Sequence, residues 1–206
     1  ELLFESTKEA FPSSDKLRGA SVLWEDLPSY KKVLLLQGPV GPFFAKLSKY
    51  WESRGAVVKK INFNPGDDWF YPKNNANTIS YRHRLDYWEA FIQSYLLQHK
   101  IEAIFLFGQK RKMHLPIRAL CIIYGIDLWV LEEGYYRPGF FTLERNGVNA
   151  KSSLAQLDLQ TILNSETLDA PLSQPQIHST QFKSYQHMAV NAAIYWGMNV
   201  FHFLKY

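Results

Sequence analysis

The sequence predicts an α/β fold in which helices flank a parallel β-sheet. Short apolar runs, of the kind that forms strands buried on both faces, follow one another along the chain from Lys32. Between them lie segments whose apolar residues recur at helical spacing, and glycines end several of these segments. Strands and helices therefore alternate, which favours parallel strands joined by right-handed crossovers, as in a Rossmann-like sheet.

Four strands and three helices follow from this pattern. The predicted strands are residues 33–36, 56–63, 101–107 and 126–131. The predicted helices are residues 42–54, 81–99 and 116–124, with a turn at 64–68 and a polar loop at 72–80. Farther along, two short runs within residues 140–149 flank Asn146-Gly147, and this pairing predicts a β-hairpin.

The chain divides into three parts. Residues 1–31 are a polar lead-in segment with little core of its own, 32–150 form the α/β lobe, and 151–206 are a linker and an aromatic helix. Three interpretations of that helix, at 182–206, stay open: it packs on a further domain, lies on a membrane surface, or stands free. Because the chain starts at Glu1 and stops at Tyr206 inside a helical pattern, we expect it to be a piece of a longer protein.

Composition excludes several classes of function. Apolar residues make up 47% and charged residues 20% of 206, which indicates a globular protein rather than a disordered one. The net charge of +4 is mild and dispersed, so we expect no nucleic-acid partner. The single cysteine, Cys121, lies in an apolar run; it excludes an intrachain disulfide and is expected to be a buried thiol in a reducing compartment. Neither a membrane-spanning stretch nor metal-ligand spacing is evident, and we expect no metal and no other cofactor.

The carboxyl ends of the strands are the expected binding region. Ligands of open parallel sheets bind in the crevice beyond these ends. The rule selects four loops, which begin at Gln37, Asn62, Gly108 and Glu132. We expect all four to converge on one rim of the sheet and to share a pocket.

The first two loops carry candidate substrate-binding residues. Gly38 and Gly41 precede a helix start and would let a ligand approach the backbone, although an ordinary tight turn explains them at least as well. Asn62, Asn64 and Asp67 precede three aromatic residues, and amides, carboxylates and rings together suit a sugar. The alternative is an Asx-rich turn whose aromatic rings fold back on the core.

The third loop, from Gly108, combines cations with a histidine. Arg111 beside a helix start would receive phosphate or carboxylate, and His114 could serve as a general base. A solvated basic turn and a structural histidine are the plainer interpretations.

The fourth loop, Glu132-Glu133-Gly134-Tyr135-Tyr136-Arg137-Pro138, is the most informative. Two adjacent carboxylates after a buried strand point to opposite sides, so at least one should face the crevice. A carboxyl with a raised pKa there could act as acid or base. Glu132 and Glu133 are therefore the catalytic candidates, with Tyr135 and Arg137 as candidate substrate-binding residues.

Several motifs resemble capsule polysaccharide proteins of the KpsS/LipB type, in register over roughly residues 32–150. They are LLLQGPVGPFF (34–44), KINFNPGD (60–67), LFG (106–108), EEGYYRP (132–138), TLE (142–144) and GVN (147–149). Glu132 and Arg137 match a similar motif in the related KpsC modules, and Arg111 and His114 line up with a similar Arg and His. Gln109 to Met113 departs from the usual local pattern, which puts any specific role there in doubt.

That resemblance implies a GT-B-like, two-lobed glycosyltransferase whose N-terminal lobe is this α/β unit. Members of the family are taken to be retaining β-Kdo transferases that use CMP-Kdo, or a similar nucleotide sugar, and a lipid-linked acceptor of the phosphatidylglycerol type. The resemblance also implies a cytoplasmic protein with a peripheral contact to the inner membrane and to capsule export machinery. The donor motifs and the nucleophile are expected beyond Tyr206, so this fragment alone should be inactive.

Two alternatives to that function remain. One is a non-enzymatic module that holds capsule assembly or export machinery at the inner membrane through its aromatic, basic C-terminal helix. The other is a transferase that uses a different nucleotide sugar.

Overall fold

The computed structural model describes residues 27–71, 76–133, 141–147 and 181–205. Within these ranges six strands form one sheet. They are β1 (Lys32–Leu35), β2 (Val57–Asn62), β3 (Thr78–Ser80), β4 (Ala103–Phe107), β5 (Asp127–Glu133) and β6 (Phe141–Arg145). The helices are α1 (Phe43–Ser53), α2 (Pro65–Phe70), α3 (Trp88–His99), α4 (Ile117–Tyr124) and α5 (Gln181–Lys205).

The strand order is β3-β2-β1-β4-β5-β6. The first five strands in this order are parallel to their neighbours, and only β6 runs antiparallel, against β5. The predicted Rossmann-like α/β fold with flanking helices is therefore confirmed. Each parallel connection passes through a helix or a long loop, as a crossover requires.

Each face of the sheet supports its own apolar core. On one face α3 and α4 cover alternate residues of the strands, with Leu34, Ile104 and Val130 at the centre. On the other face α1 covers the intervening residues, among them Leu35 and Phe105. Because β1 and β4 are buried on both faces, their sequences read as continuous apolar runs, which is why the sequence pattern located them.

Part of the predicted lead-in segment belongs to this core. Leu27 and Tyr30 are both buried against the α1 face. The Tyr30 hydroxyl donates to the Asp127 carboxylate over 2.6 Å and accepts from the Trp129 ring N–H at 2.9 Å. Residues 27–31 therefore pack against the amino end of β5 and stabilise it. Residues 1–26 lie outside the described ranges.

Three local predictions were wrong. The predicted turn at 64–68 is the start of α2, because Asn64 caps the helix and Pro65 occupies its first position. Within the predicted loop at 72–80, residues 78–80 form β3, which pairs with β2. The predicted helix at 81–99 begins only at Trp88, after a single 3₁₀ turn at Leu85–Tyr87.

The predicted hairpin stays a prediction, because only its first run is described. Its first run is β6, but β6 pairs with β5, and the ladder continues when the Asn146 N–H donates to the Leu128 carbonyl at 2.8 Å. The run after Gly147 lies outside the described residues, as does the predicted linker at 151–180.

Cys121 is buried on the inner side of α4, as the sequence predicted. Burial raises the pKa of its thiol to about 12. A thiol with that pKa holds almost no thiolate at neutral pH, which supports the interpretation of Cys121 as a small apolar residue.

Truncation of a core side chain in β4 should lower the stability of the folded chain. We expect Leu106→Ala to lower the free energy of unfolding by about 2–5 kcal/mol, because Leu106 is fully buried and the cavity cannot collapse completely. Val57→Ala, at an exposed position of β2, is the matched control and should cost less than about 1 kcal/mol. Urea denaturation measures both, and equal losses would contradict the assignment of Leu106 to the core.

Candidate functional site

The carboxyl ends of β2, β1, β4 and β5 lie side by side along one edge of the sheet. The four residues at which loops were predicted to begin, Gln37, Asn62, Gly108 and Glu132, all lie at this edge. Backbone bonds join three of the strand ends: the Phe107 N–H donates to Gln37 at 3.0 Å, and the Gly108 N–H donates to Leu131 at 2.9 Å. The common rim that the sequence analysis expected is therefore present.

Asp67 is held firmly at the end of β2. The Asn64 side chain accepts from the Asp67 N–H at 2.9 Å and so caps α2. The Asp67 carboxylate in turn accepts from the Phe63 N–H at 2.9 Å and from the Gln37 amide at 3.4 Å. Both predicted residues, Asn64 and Asp67, thus lie at the rim with fixed orientations.

A tyrosine from the distant helix α5 completes this cluster. The Tyr195 hydroxyl accepts from the Gln37 and Asn64 amides, at 3.0 and 2.6 Å, and donates to the Asp67 carboxylate at 3.2 Å. The side chain is buried, and burial, with the nearby Asp67 charge, raises its pKa to about 12. Tyr195 therefore stays protonated at neutral pH and binds as a hydroxyl.

The close approach of α5 depends on two glycines. A Cβ at Gly66 would collide with the Tyr195 ring, and one at Gly41 would come within 2.9 Å of the Asn191 amide nitrogen. Gly41 also has φ +118°, a conformation that side-chain-bearing residues rarely adopt. The Gly66 N–H donates to the Asn199 side chain at 3.2 Å. Gly41 therefore lies at the rim as predicted, and there it accommodates the close approach of α5.

Lys60 is a buried cation beneath the rim, and the sequence analysis missed it. Only 2% of the residue is exposed. Its ammonium group donates to the Leu36 and Ile61 carbonyls, at 2.8 and 2.7 Å, and lies 5.7 Å from the centre of the Tyr71 ring. Burial lowers its pKa to about 8, although the Asp67 charge opposes this shift.

Arg111 lies over the first loop. Its guanidinium donates to the Gly38 carbonyl at 3.0 Å and is 5.3 Å from the centre of the Phe107 ring. Burial lowers the pKa of Arg111, while the charges of Asp67 and Glu132 raise it. Arg111 therefore links the loop after β4 to the loop after β1 through its bond to Gly38.

His114 is buried and neutral. Only 3% of the residue is exposed, and Nδ1 lies 2.8 Å from the Gly108 carbonyl, to which it must donate. Burial lowers its pKa to about 3, and among the described residues Nε2 has no hydrogen-bond partner. So weak a base favours the structural interpretation, in which His114 fixes the backbone at Gly108.

Asn62 lies at the end of β2 and hydrogen-bonds to the segment that follows this strand. It is completely buried, and its amide donates to the Asp68 carboxylate at 3.0 Å and to the Tyr71 carbonyl at 2.9 Å. Asp68 also pairs with Arg82 and accepts from the Ser80 hydroxyl. Asn62 thereby joins the start and the end of the β2–β3 connection.

Glu132 and Glu133 lie inside β5 rather than after it, opposite Thr142 and Phe141 of β6. As predicted, their side chains point to opposite faces, because successive residues of a strand do so. Glu132 is half-buried and contributes to the electrostatic environment of Arg111, whereas Glu133 is exposed. Tyr135 and Arg137 lie outside the described residues.

A small, shallow cleft opens at this rim between α1, α2 and α5. Its walls combine backbone, aromatic and charged groups. They are formed by Gly38, Pro39, Gly41, Phe44, Ala45, Lys60, Gly66, Asp67, Phe70, Tyr71 and Tyr195. Such a lining can hydrogen-bond hydroxyls, face a sugar ring with an aromatic side chain, and place a cation beneath an anionic group.

Two features are absent from the described ranges. They contain no group of three or more His, Cys, Asp or Glu side chains arranged to hold a metal ion. None of their helices has the length and apolar character needed to cross a membrane.

Comparison with known proteins places the chain in a family. The model of the family described as "Capsule polysaccharide biosynthesis protein" matches residues 102–206, about half of the chain. The chain belongs to this family. The matched region begins at the start of β4, so it includes the Arg111 loop, Glu132 and α5.

Curated relatives extend the resemblance. The capsule polysaccharide modification proteins LipB of Neisseria meningitidis serogroups A and B are each 43% identical over 128 residues. The capsule polysaccharide export protein KpsS of Escherichia coli is 38% identical over 128 residues. These matches cover 62% of this chain but only 30% of LipB and 32% of KpsS, so the chain spans about a third of these relatives.

Removal of the Tyr195 hydroxyl should weaken the attachment of α5 to the rim. We expect Tyr195→Phe to lower the free energy of unfolding by about 1–3 kcal/mol, because two half-buried amides lose their acceptor and Asp67 loses a donor. Tyr87→Phe, at an exposed hydroxyl, is the matched control and should be nearly neutral. Urea denaturation and hydrogen exchange of the α5 amides measure the effect. A fully stable Tyr195→Phe variant would show that the hydroxyl cluster does not hold the helix.

Burial of Lys60 should make stability depend on pH. The pKa of Lys60 is about 8 in the folded chain against an ordinary value of 10.5, so between these values the unfolded chain binds more protons. The free energy of unfolding, compared with that of Lys60→Met, should rise with pH from 8 to 10, by up to about 1.4 kcal/mol per pH unit.

The control for this effect is Lys59→Met, at the neighbouring position on the opposite face of β2. It should follow the wild-type pH profile, because Lys60 is unchanged. Parallel profiles for the wild type and Lys60→Met would rule out a buried, weakly basic ammonium group.

Proposed function

We propose that this chain forms part of a glycosyltransferase of capsule polysaccharide biosynthesis and shapes the acceptor side of its cleft. The observation that carries the proposal is the cleft at the carboxyl rim, where Lys60, Asp67 and Tyr195 meet. Membership of the capsule polysaccharide biosynthesis family supports it. The similarity to LipB, a capsule polysaccharide modification protein, supports it as well.

The proposed reaction is the transfer of Kdo from CMP-Kdo to a lipid-linked acceptor, by the longer protein of which this chain is a part. Both reactants carry anionic groups, a sugar carboxylate on one and phosphate on the other. Lys60 and Arg111 are the buried and half-buried cations of the rim, and either could hold such a group. The Asn64 and Asp67 side chains offer the paired donor and acceptor atoms that sugar hydroxyls require.

Glu132 is the proposed acid or base of the rim. It is half-buried at the end of β5, and its charge acts on Arg111, so both lie in the same electrostatic environment. A retaining mechanism needs a second carboxylate, and we expect it from a part of the protein outside this chain. The chain alone should therefore bind ligand without completing the transfer.

Replacement of Glu132 tests this assignment. In the full-length protein, Glu132→Gln should lower kcat for Kdo transfer by about 10²–10⁴-fold, because a general acid or base contributes that much. Glu89→Gln, in the first turn of α3, is the matched control and should leave kcat unchanged. Transfer of labelled Kdo from CMP-Kdo to lipid acceptor is the measurement.

The outcomes also separate the alternatives. Near-normal transfer by Glu132→Gln would remove this carboxylate from the chemistry. Turnover with a different nucleotide sugar, but none with CMP-Kdo, would show that the donor is not CMP-Kdo. The proposed role of the rim residues would remain unchanged. A complete lack of turnover in the wild-type full-length protein would favour a non-enzymatic assembly module.

A further inference from the structure

Helix α5 meets the rim through polar side chains. Asn191, Tyr195 and Asn199 recur at every fourth position, so they lie on one side of the helix. We name these three residues the polar seam. Tyr195 enters the hydrogen-bonded cluster at the rim, and the Asn199 side chain accepts from the Gly66 N–H at 3.2 Å. The Asn191 side chain lies against Gly41, so the whole seam is fitted to the rim.

Little apolar surface holds α5 in place. Among the described residues, neither apolar core includes a side chain of this helix. Ile194 and Met198 are only half-buried, and Met188, Trp196 and Val200 are exposed. An ordinary surface helix is held by the burial of its apolar side. The attachment of α5 therefore depends on hydrogen bonds more than on apolar burial, and each such bond contributes little net free energy because water competes for it.

The other side of the contact is held by the lobe itself. The Asn64 side chain accepts from the Asp67 N–H, and the Asp67 carboxylate accepts from the Phe63 N–H, both at 2.9 Å. The Gln37 amide donates to the same carboxylate at 3.4 Å. We name Gln37, Asn64 and Asp67 the rim triad. Because none of these bonds involves α5, the triad would keep its orientation if the helix moved away.

The Tyr195 hydroxyl fills the rim triad as a ligand hydroxyl would. A hydroxyl group has one hydrogen to donate and two positions that accept. Tyr195 uses all three, because it accepts from two amides of the triad, at 3.0 and 2.6 Å, and donates to Asp67 at 3.2 Å. An alcohol group of a ligand has the same capacity. The triad therefore fits the hydroxyl of a ligand as well as that of a tyrosine.

A cation lies beside the rim triad. Lys60 lines the same cleft as Asp67 and Tyr195, and the Asp67 charge acts on its ammonium group. Two of the three N–H groups of Lys60 bond to backbone carbonyls, which leaves the third for a ligand. A ligand with an anionic group next to a hydroxyl would therefore find a partner for each.

We propose that the rim triad is a binding site for a hydroxyl group of an anionic ligand, and that Tyr195 occupies it until the ligand displaces α5. The polar seam is then an autoinhibitory contact, because the ligand and the Tyr195 hydroxyl compete for the same three side chains. The apparent affinity falls with the fraction of chains in which the triad is free. The inference rests on the proposed function for the class of ligand, a hydroxylated anion, and adds the step that admits it.

Hydrogen exchange of the whole chain tests the displacement. The probe is glycerol 3-phosphate, which carries alcohol groups beside a phosphate, and inorganic phosphate is the matched control. We expect saturating glycerol 3-phosphate to speed exchange of amides 191–199 at least about fivefold, because a detached helix frays. Inorganic phosphate should leave the exchange unchanged. A ligand that binds the folded state ordinarily slows exchange, so the expected sign is specific to displacement.

A disulfide across the seam should keep the triad occupied. A Cβ at Gly41 would lie 3.8 Å from the Asn191 Cβ, a separation typical of a disulfide. Oxidation of Gly41→Cys with Asn191→Cys should weaken glycerol 3-phosphate binding at least about tenfold, and reduction should restore it. Gly41→Cys alone carries the same strain of a positive φ and should show no response to oxidation.

Removal of the competing hydroxyl should have the opposite effect. We expect Tyr195→Phe to tighten glycerol 3-phosphate binding by about fivefold, the equivalent of one net hydrogen bond. Tyr87→Phe, at an exposed hydroxyl outside the cleft, is the matched control and should leave binding unchanged. Misfolding weakens binding, so it cannot imitate this gain.

Four results would overturn the proposal. They are unchanged or slower exchange of α5 with glycerol 3-phosphate, the same acceleration with inorganic phosphate, weaker or absent binding by Tyr195→Phe, and equal binding by the oxidised and reduced double-cysteine variant. All of these measurements follow binding without turnover. A full-length protein that transfers no Kdo would contradict the proposed function without altering them, so the two failures are distinguishable.

Discussion

The two central strands, β1 and β4, are buried on both faces, and the positions of the other elements follow from them. Such strands must be covered by helices above and below, so each connection crosses over and returns parallel. The carboxyl ends of neighbouring strands then fall on one edge. The rim is therefore a consequence of where apolar side chains are buried, before any functional residue is considered.

Polar and charged side chains are buried together at the rim, where hydrogen bonds and opposite charges offset the free-energy cost of burying them. Lys60 keeps its ammonium group inside the protein because the Leu36 and Ile61 carbonyls accept from it, and Asp67 and Asp68 offset its charge. The same Asp67 receives the Tyr195 hydroxyl from a helix more than a hundred residues away. One carboxylate thus stabilises a buried cation and also anchors α5, so substitutions at Asp67 would disturb both.

Sequence reasoning located the elements whose signal is local. Apolar runs located β1, β4 and β5, and two shorter apolar runs on either side of Lys59 and Lys60 located β2, so the rim at Gln37, Asn62, Gly108 and Glu132 was predicted. It missed β3, a three-residue edge strand whose sequence, Thr-Ile-Ser, is too short to show a period. It placed a turn at 64–68, although Asn followed by Pro is also the signature of a helix start.

The contacts of the site were harder to predict than its position. Tyr195 was recognised only as one aromatic residue in a helical pattern, since periodicity identifies a helix but not the element it packs on. Lys60 was hidden for a similar reason: a lysine within a strand is expected to face solvent, and only the tertiary structure brings two carbonyls to it. A clue was available at Gly66 and Gly41, where glycines allow another element to come close.

The buried thiol of Cys121 gives the chain an internal reporter. It is the single cysteine of the sequence, it lies on the inner side of α4, and its pKa is raised to about 12. An alkylating reagent can therefore modify it only when α4 separates transiently from the sheet. The rate of that modification would measure how often this side of the molecule opens, without any label or substitution.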